Sequence, residues 1–165
     1  MTVRLLDVNV LIALAWPNHV HHEPAQRWFA SSAKKAWATC PLTQLGFVRV
    51  SSNPRIVATA VSPREAARVM AAVTAQPGHE FWPDALELTA AAEFSTVTLV
   101  GHRQVTDAYL VALARHHGGR LATFDRDVAD LVTDPRERAQ LIEVIGEQGV
   151  QERRPRQYRA HARLS

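Results

Sequence analysis

Val3-Arg4-Leu5-Leu6-Asp7-Val8-Asn9-Val10-Leu11-Ile12-Ala13-Leu14-Ala15-Trp16-Pro17 sets the architecture of this 165-residue chain. Val3 to Leu6 has the apolar run of a short buried strand, and Asn9 is placed to cap a helix from about Val10 to Trp16, which Pro17 stops. Between strand and helix stands a carboxylate, Asp7, in apolar surroundings. Two more aspartates have similar settings: Asp107 in Val105-Thr106-Asp107-Ala108 and Asp125 in Ala122-Thr123-Phe124-Asp125. A carboxylate is costly to bury unless positive charge pairs with it, and three converging would repel one another. A divalent cation is the simplest remedy, and oxygen ligands of this kind suit Mg²⁺ or Mn²⁺.

The rest of the chain extends this alternation. His22 to Ser31 carries Ala25, Trp28 and Phe29 at helical spacing. Ala36 to Cys40 reads as a second strand, and Thr43 as the cap of a helix over residues 44–50. Ser62-Pro63-Arg64-Glu65 has a capping serine, proline at the first helical position and glutamate at the third, opening a helix to Ala75. Glu80 to Trp82 reads as a strand, and Pro83-Asp84 starts a turn or helix through Ala92. Thr106 is expected to cap a helix that ends at Gly118-Gly119, with strands over residues 120–124 and 141–145. Strands alternating with helices predict an α/β fold around a largely parallel sheet, in which ligands sit outside the carboxyl ends of the strands. Asp7 and Asp125 follow strands and Asp107 opens a helix, so the three can meet in one cleft.

Each residue also has a plainer role to set against this. Asp7 and Asp107 suit helix starts on electrostatic grounds, and Asp125 can cap a turn leading to Val128. Asn9 is expected to cap its helix and to touch the site as a supporting group, while Asp127 is either a further ligand or a solvent-facing acid. His19, His21 and His22 lack the partners of a zinc site, and His116-His117 fits the end of a helix. Trp16, Trp28, Trp37 and Trp82 are expected in the core or a dimer interface. A glycine-rich phosphate loop is missing, which disfavours nucleotide-driven phosphoryl transfer. A phosphatase would need a second acid where Asn9 stands, and a receiver domain would need a late lysine, whereas Lys34 and Lys35 come early.

Composition, with 47% hydrophobic and 21% charged residues, excludes a disordered or fibrous chain. Cys40 is the single cysteine, which fits a reducing cytosol. The apolar opening is too short to span a bilayer, so neither secretion nor membrane attachment is expected. The net charge of +3 is uneven: residues 1–146 balance, while 147–165 hold Arg153, Arg154, Arg156, Arg159 and Arg163 against Glu147 and Glu152. We expect a domain over 1–146 followed by a basic segment, 147–165, that is either a solvated terminus or a phosphate-binding arm.

Four stretches together resemble a known family. Residues 5–11, Leu5-Leu6-Asp7-Val8-Asn9-Val10-Leu11, are similar to the opening motif of PIN-domain ribonucleases. Pro41-Leu42-Thr43-Gln44-Leu45-Gly46-Phe47-Val48-Arg49-Val50-Ser51 resembles the second motif of the VapC toxins of bacterial toxin–antitoxin pairs. Residues 106–114 and 121–125 resemble the third and fourth, in the family's order. The resemblance implies a three-layer PIN-like α/β sandwich and a Mg²⁺- or Mn²⁺-dependent endoribonuclease working through a metal-activated water. It implies Asp7, Asp107 and Asp125 as metal ligands, with Asn9 and Asp127 as supporting or second-metal groups. Implied partners are an RNA substrate, a small cognate antitoxin protein and a second copy in a homodimer, with operator DNA contacted only through the antitoxin. Where many relatives carry glutamate, this chain has Gln44, which is assigned a catalytic role in orienting water but cannot act as a base. A catalytically weak RNA- or antitoxin-binding module is the alternative. Arg49 and Arg126 are the leading phosphate contacts, with Arg55 and Arg103 behind them.

Overall fold

The computed structural model describes residues 1–34, 36–88 and 101–146, without the Arg103 side chain. Five short strands form one sheet: β1 (Arg4–Leu6), β2 (Trp37–Thr39), β3 (His79–Phe81), β4 (Arg120–Thr123) and β5 (Ile142–Val144). Their order is β3-β2-β1-β4-β5 and every pairing is parallel. Six helices are seen among the described residues: α1 (Val8–Ala15), α2 (His22–Trp28), α3 (Pro41–Ser51), α4 (Pro63–Thr74), α5 (Val105–His116) and α6 (Pro135–Leu141).

Alternation along the strands divides the core in two. Leu5, Ala38, Leu121 and Ile142 face α5 and α6, where Leu110, Val111, Leu113 and Leu141 cover them. Leu6, Trp37 and Ala122 face the other way, onto Val10, Leu11, Phe47 and Met70 from α1, α3 and α4. Helices on both faces make three layers, which is how an all-parallel sheet hides its strands. Trp37 and Trp82 are buried, while Trp16 and Trp28 are half-buried. The indole N–H of Trp16 donates to Ser51 Oγ at 2.9 Å and that of Trp28 to Glu143 Oε1 at 2.7 Å.

Strand positions agree with expectation to within a residue or two, but three caps do not. Asp7, not Asn9, caps α1: its carboxylate accepts from Val8 N, and Asn9 lies inside the first turn. Cys40 precedes α3, and Thr43 sits in its first turn, where Oγ1 accepts from Cys40 N at 3.0 Å. A 3₁₀ turn over His102–Gln104 runs straight into α5, so Thr106 is already helical. Ser62 caps α4 as expected, its Oγ accepting from Glu65 N at 3.2 Å. Residues 83–88 are not helical, and the remainder of the segment expected to run through Ala92 lies outside the described residues, as do Lys35 and 147–165. Helix α6 is an element that sequence reasoning missed, although Asp134-Pro135-Arg136-Glu137 repeats the pattern at Ser62 and Asp134 caps it.

Candidate active site

The chain leaves β1 toward β2 on one side and leaves β4 toward β5 on the other. A crevice opens at such a switch point, outside the carboxyl ends of the two strands. Asp7 follows β1 there and Asp125 follows β4. Helix α5 ends where β4 begins, so it runs back against the strands and brings its first turn, with Asp107, to the same edge.

Asp7 is 8% exposed. Its Oδ1 accepts from Val8 N at 2.6 Å, and its Oδ2 accepts from Asn9 Nδ2 at 2.8 Å and Thr123 Oγ1 at 2.7 Å. Burial drives its pKa above the usual carboxylate range and the charge of Asp125 adds to the rise, while the bonds from Thr123, Val8 and Asn9 oppose it. Asp107 is half-buried and its pKa is pushed up to about 6, by burial first and then by the charges of Asp7 and Asp125. The charge of Asp125 thus bears on Asp7, and the charges of Asp7 and Asp125 bear on Asp107. Among the described residues no lysine or arginine forms an ion pair with any of them.

Thr123 is the side chain at this edge that sequence reasoning passed over. It is fully buried at the end of β4. Its hydroxyl donates to Asp7 and accepts from Asn9 Nδ2 and from Asp125 N, each at 3.0 Å. A hydroxyl closing a buried strand must find partners, and that requirement was the available signal. Asn9 completes the brace by accepting from Phe124 N at 3.1 Å. Asp125 is exposed, and its Oδ1 accepts from Asp127 N at 2.9 Å, forming an Asx turn. Asp127 and Arg126 are exposed beside it. His21, given little functional weight on sequence, stacks on Phe124 at 4.7 Å.

The remaining candidates stand apart. Gln44 donates to Thr39 Oγ1 at 2.9 Å, and that hydroxyl also bonds His79 Nε2 at 2.8 Å. Gln44 makes no hydrogen bond to the aspartates and lines a groove with Leu45, Met70 and Phe81. Arg49 is exposed in the last turn of α3, about 12 Å along the axis from that helix's start. Arg55 is exposed in the loop after α3. The Arg103 side chain lies outside the described residues. As placed, the carboxylates do not enclose an ion: among the described residues no three His, Cys, Asp or Glu side chains are gathered to hold one. Asp7 and Asp125 instead satisfy neutral donors.

Residues 4–133 match the model of the PIN domain family. Ribonuclease VapC39 of Mycobacterium tuberculosis is 48% identical over 141 residues, covering 86% of this chain and 98% of the relative. Ribonuclease VapC29 of the same species is 50% identical over 134 residues, covering 81% and 93%. Two solved structures share the fold. One is the Mycobacterium tuberculosis toxin VapC20, which cleaves the sarcin–ricin loop (TM-score 0.54, 19% identity, 76% of this chain and 92% of that one). The other is VapBC2 of Rickettsia felis bound to a promoter DNA fragment (TM-score 0.56, 9% identity, 86% and 98%). The doubly wound sheet with acids at its switch point is thus a PIN domain, and the chain belongs to the VapC ribonucleases within that family.

Proposed function

We propose that this chain is the toxin of a type II toxin–antitoxin pair and hydrolyses RNA phosphodiester bonds at Asp7, Asp107 and Asp125, with Mg²⁺ or Mn²⁺ as cofactor. The observation that carries this reading is the acid cluster itself. Three carboxylates meet at the switch point: the charge of Asp125 raises the proton affinity of Asp7, those of Asp7 and Asp125 raise that of Asp107, and Asp7 and Asp125 accept only neutral donors among the described residues. Their chemistry fits a hard divalent cation; for them to surround one, the exposed Asp125 and half-buried Asp107 side chains must rotate toward the braced Asp7. When bound, such a cation neutralises the scissile phosphate and lowers the pKa of the attacking water.

The chain's own residues do the rest. Thr123 and Asn9 fix the Asp7 carboxylate, so the site has one rigid wall and two adjustable ones. Asp107 holds a proton below about pH 6 and must release it for full negative charge. Water adds to phosphorus and the P–O3′ bond breaks, leaving a 5′-phosphate and a 3′-hydroxyl. Gln44 would reach substrate only by leaving Thr39, and its neutral amide can orient water but not deprotonate it. Arg126, beside Asp125, is the better placed phosphate contact, and Arg49 is set back on α3.

The VapBC neighbour supports a small antitoxin partner, through which operator DNA would be contacted. Exposed Leu45 and Phe81 on one groove support a homodimer. Among the described residues no helix is long and apolar enough to cross a membrane. An RNA substrate and a toxin–antitoxin pairing would place the proposed activity in the cytoplasm. The test is incubation of a structured RNA pool, including a sarcin–ricin hairpin, with Mg²⁺, Mn²⁺ or EDTA. Discrete products are expected from the wild type, falling roughly 100-fold or more in Asp7→Ala, the scale of losing a key electrostatic contact. Products that persist in EDTA or in the mutant would overturn the assignment. Folded wild type without products would favour the weak-module alternative, and Gln44→Glu would then be expected to restore cleavage.

A further inference from the structure

We propose that the exposed imidazole of His21, stacked on Phe124, is a platform for an unpaired nucleobase of RNA beside the acid site; this rests on the ribonuclease reading above. The first support is position. Phe124 stands between Thr123 and Asp125, and consecutive Cα atoms are about 3.8 Å apart. Its backbone N–H donates to Asn9 Oδ1 at 3.1 Å. The Nδ2 of the same asparagine donates to Asp7 at 2.8 Å and to Thr123 at 3.0 Å. One brace thus fixes both the Asp7 carboxylate and the backbone that carries the stack. The Phe124 ring is half-buried against the cluster that includes Leu6, Val10 and Ala122. A base laid on His21 therefore belongs to a nucleotide close to the one whose phosphate lies at Asp125.

Geometry is the second support. The His21 ring lies 4.7 Å from that of Phe124 and 13° from parallel, which is a stacked arrangement. Its two neighbours of the same kind serve the fold. His22 is half-buried, and its Nδ1 donates to Ala13 O at 2.8 Å. His19 is half-buried, and its Nδ1 accepts from His21 N at 3.2 Å. The His19 ring stands 5.7 Å from that of His21 and is tilted by 50°, so it does not stack there. Of the three, His21 alone is exposed, and its ring makes no hydrogen bond among the described residues. The loop beneath it is pinned, His19 N donating to Trp16 O at 3.0 Å and His22 N to His19 O at 2.9 Å. Holding this loop against Phe124 uses one face of the imidazole, and the exposed remainder is open to a second ring.

Charge is the third support. The edge carries Asp7, Asp107 and Asp125, so Coulomb forces repel the phosphates of an approaching strand. Stacking works without charge: every base has a π face, and single-stranded RNA is bound by layering its bases on aromatic side chains, histidine among them. A base inside a duplex has both faces covered by its neighbours, whereas one in a loop, a bulge or an end can be splayed out. The platform therefore selects RNA whose bases are unpaired near the cut, without selecting which base.

The experiment compares two oligomers of equal length and phosphate count, oligoadenylate and an abasic ribose–phosphate chain. Binding to the full chain is measured in EDTA, where no cutting interferes, and thermal melts check that each variant stays folded. Wild type is expected to bind oligoadenylate about 5- to 150-fold more tightly than the abasic chain, the scale of stacking one base. His21→Ala is expected to lose about 5-fold or more on oligoadenylate and less than about 2-fold on the abasic chain. His21→Phe, which keeps a flat ring, is expected to bind both as wild type does. An equal loss on the two chains in His21→Ala would overturn the proposal, because the imidazole would then be serving the phosphates or the fold. So would no loss on either, or a loss in His21→Phe as large as in His21→Ala. Failure of the ribonuclease reading is distinguishable: wild type then gives no products with Mg²⁺ or Mn²⁺, while its preference for oligoadenylate in EDTA and the loss in His21→Ala persist.

Discussion

Glu143 and Asp7 are both nearly buried, at 5% and 8% exposure, and the protein treats them in opposite ways. Glu143 receives Arg4 at 2.8 Å, Arg120 at 3.5 Å and the indole N–H of Trp28 at 2.7 Å. Asp7 receives a threonine hydroxyl, an asparagine amide and a backbone N–H, and it has two further carboxylates for neighbours. The first acid is neutralised within the fold and ties β5 to β1 across β4. The second meets only neutral donors among the described residues, and burial raises its proton affinity, a standing desolvation cost to the fold. A protein retains such a cost where an external cation or a reaction uses it.

The sharpest way to break this contrast is to remove each charge in turn. Glu143→Gln is expected to destabilise by about 3 kcal/mol, because two arginines lose their buried partner. Asp7→Asn is expected to leave stability in EDTA unchanged or raised while abolishing cleavage. Urea denaturation of both variants beside wild type gives the comparison, and equal destabilisation would erase it. Next in size is Thr123→Val, which withdraws the hydroxyl from Asp7, Asn9 and Asp125 N. Cleavage is expected to fall by about 10- to 100-fold, as when a supporting partner of a ligand is lost. Thr123→Ser should restore most of it, which a purely packing role would not allow.

The smallest effect is the dependence on pH. The pKa of Asp107 in the metal-free fold is raised from 3.8 to about 6. Between those values the folded state binds more protons than the unfolded one, so its stability contribution is full below the lower value and is lost as pH rises through the upper. Mg²⁺ competes with that proton. The rise in Tm on adding Mg²⁺ is expected to be larger near pH 7.5 than near pH 5. A rise independent of pH would detach Asp107 from the site.

The acids were legible in the sequence because each interrupts apolar sequence, where a charge needs a reason. The parallel sheet was legible from alternating elements, and helix α4 from Ser62 and Pro63. Less visible was how local polar groups divide their work. Asn9, Thr43 and Thr106 all have capping chemistry, but Asp7, Cys40 and a preceding 3₁₀ turn hold those places, and chain direction decides between them. Thr123 looks like one more β-branched strand residue until β1 is laid beside it. Gln44 sits in a motif alongside the acids' motifs, yet its nearest partner is the Thr39 hydroxyl on the strand just before α3. Those facts depend on strand order, which short-range patterns do not contain.

The bond between Thr123 and Asp7 joins residues 116 positions apart. Closing so long a loop comes late in folding, because its entropy cost precedes any reward from contacts. A polypeptide still growing on the ribosome can form α1 and present Asp7 long before β4 exists to brace it. Until residues 120–125 emerge, the nascent ribonuclease lacks one wall of its site and one of its acids. The order of synthesis is thereby a safety catch on the proposed nuclease: its acid cluster is completed only after Thr123 and Asp125 have left the ribosome.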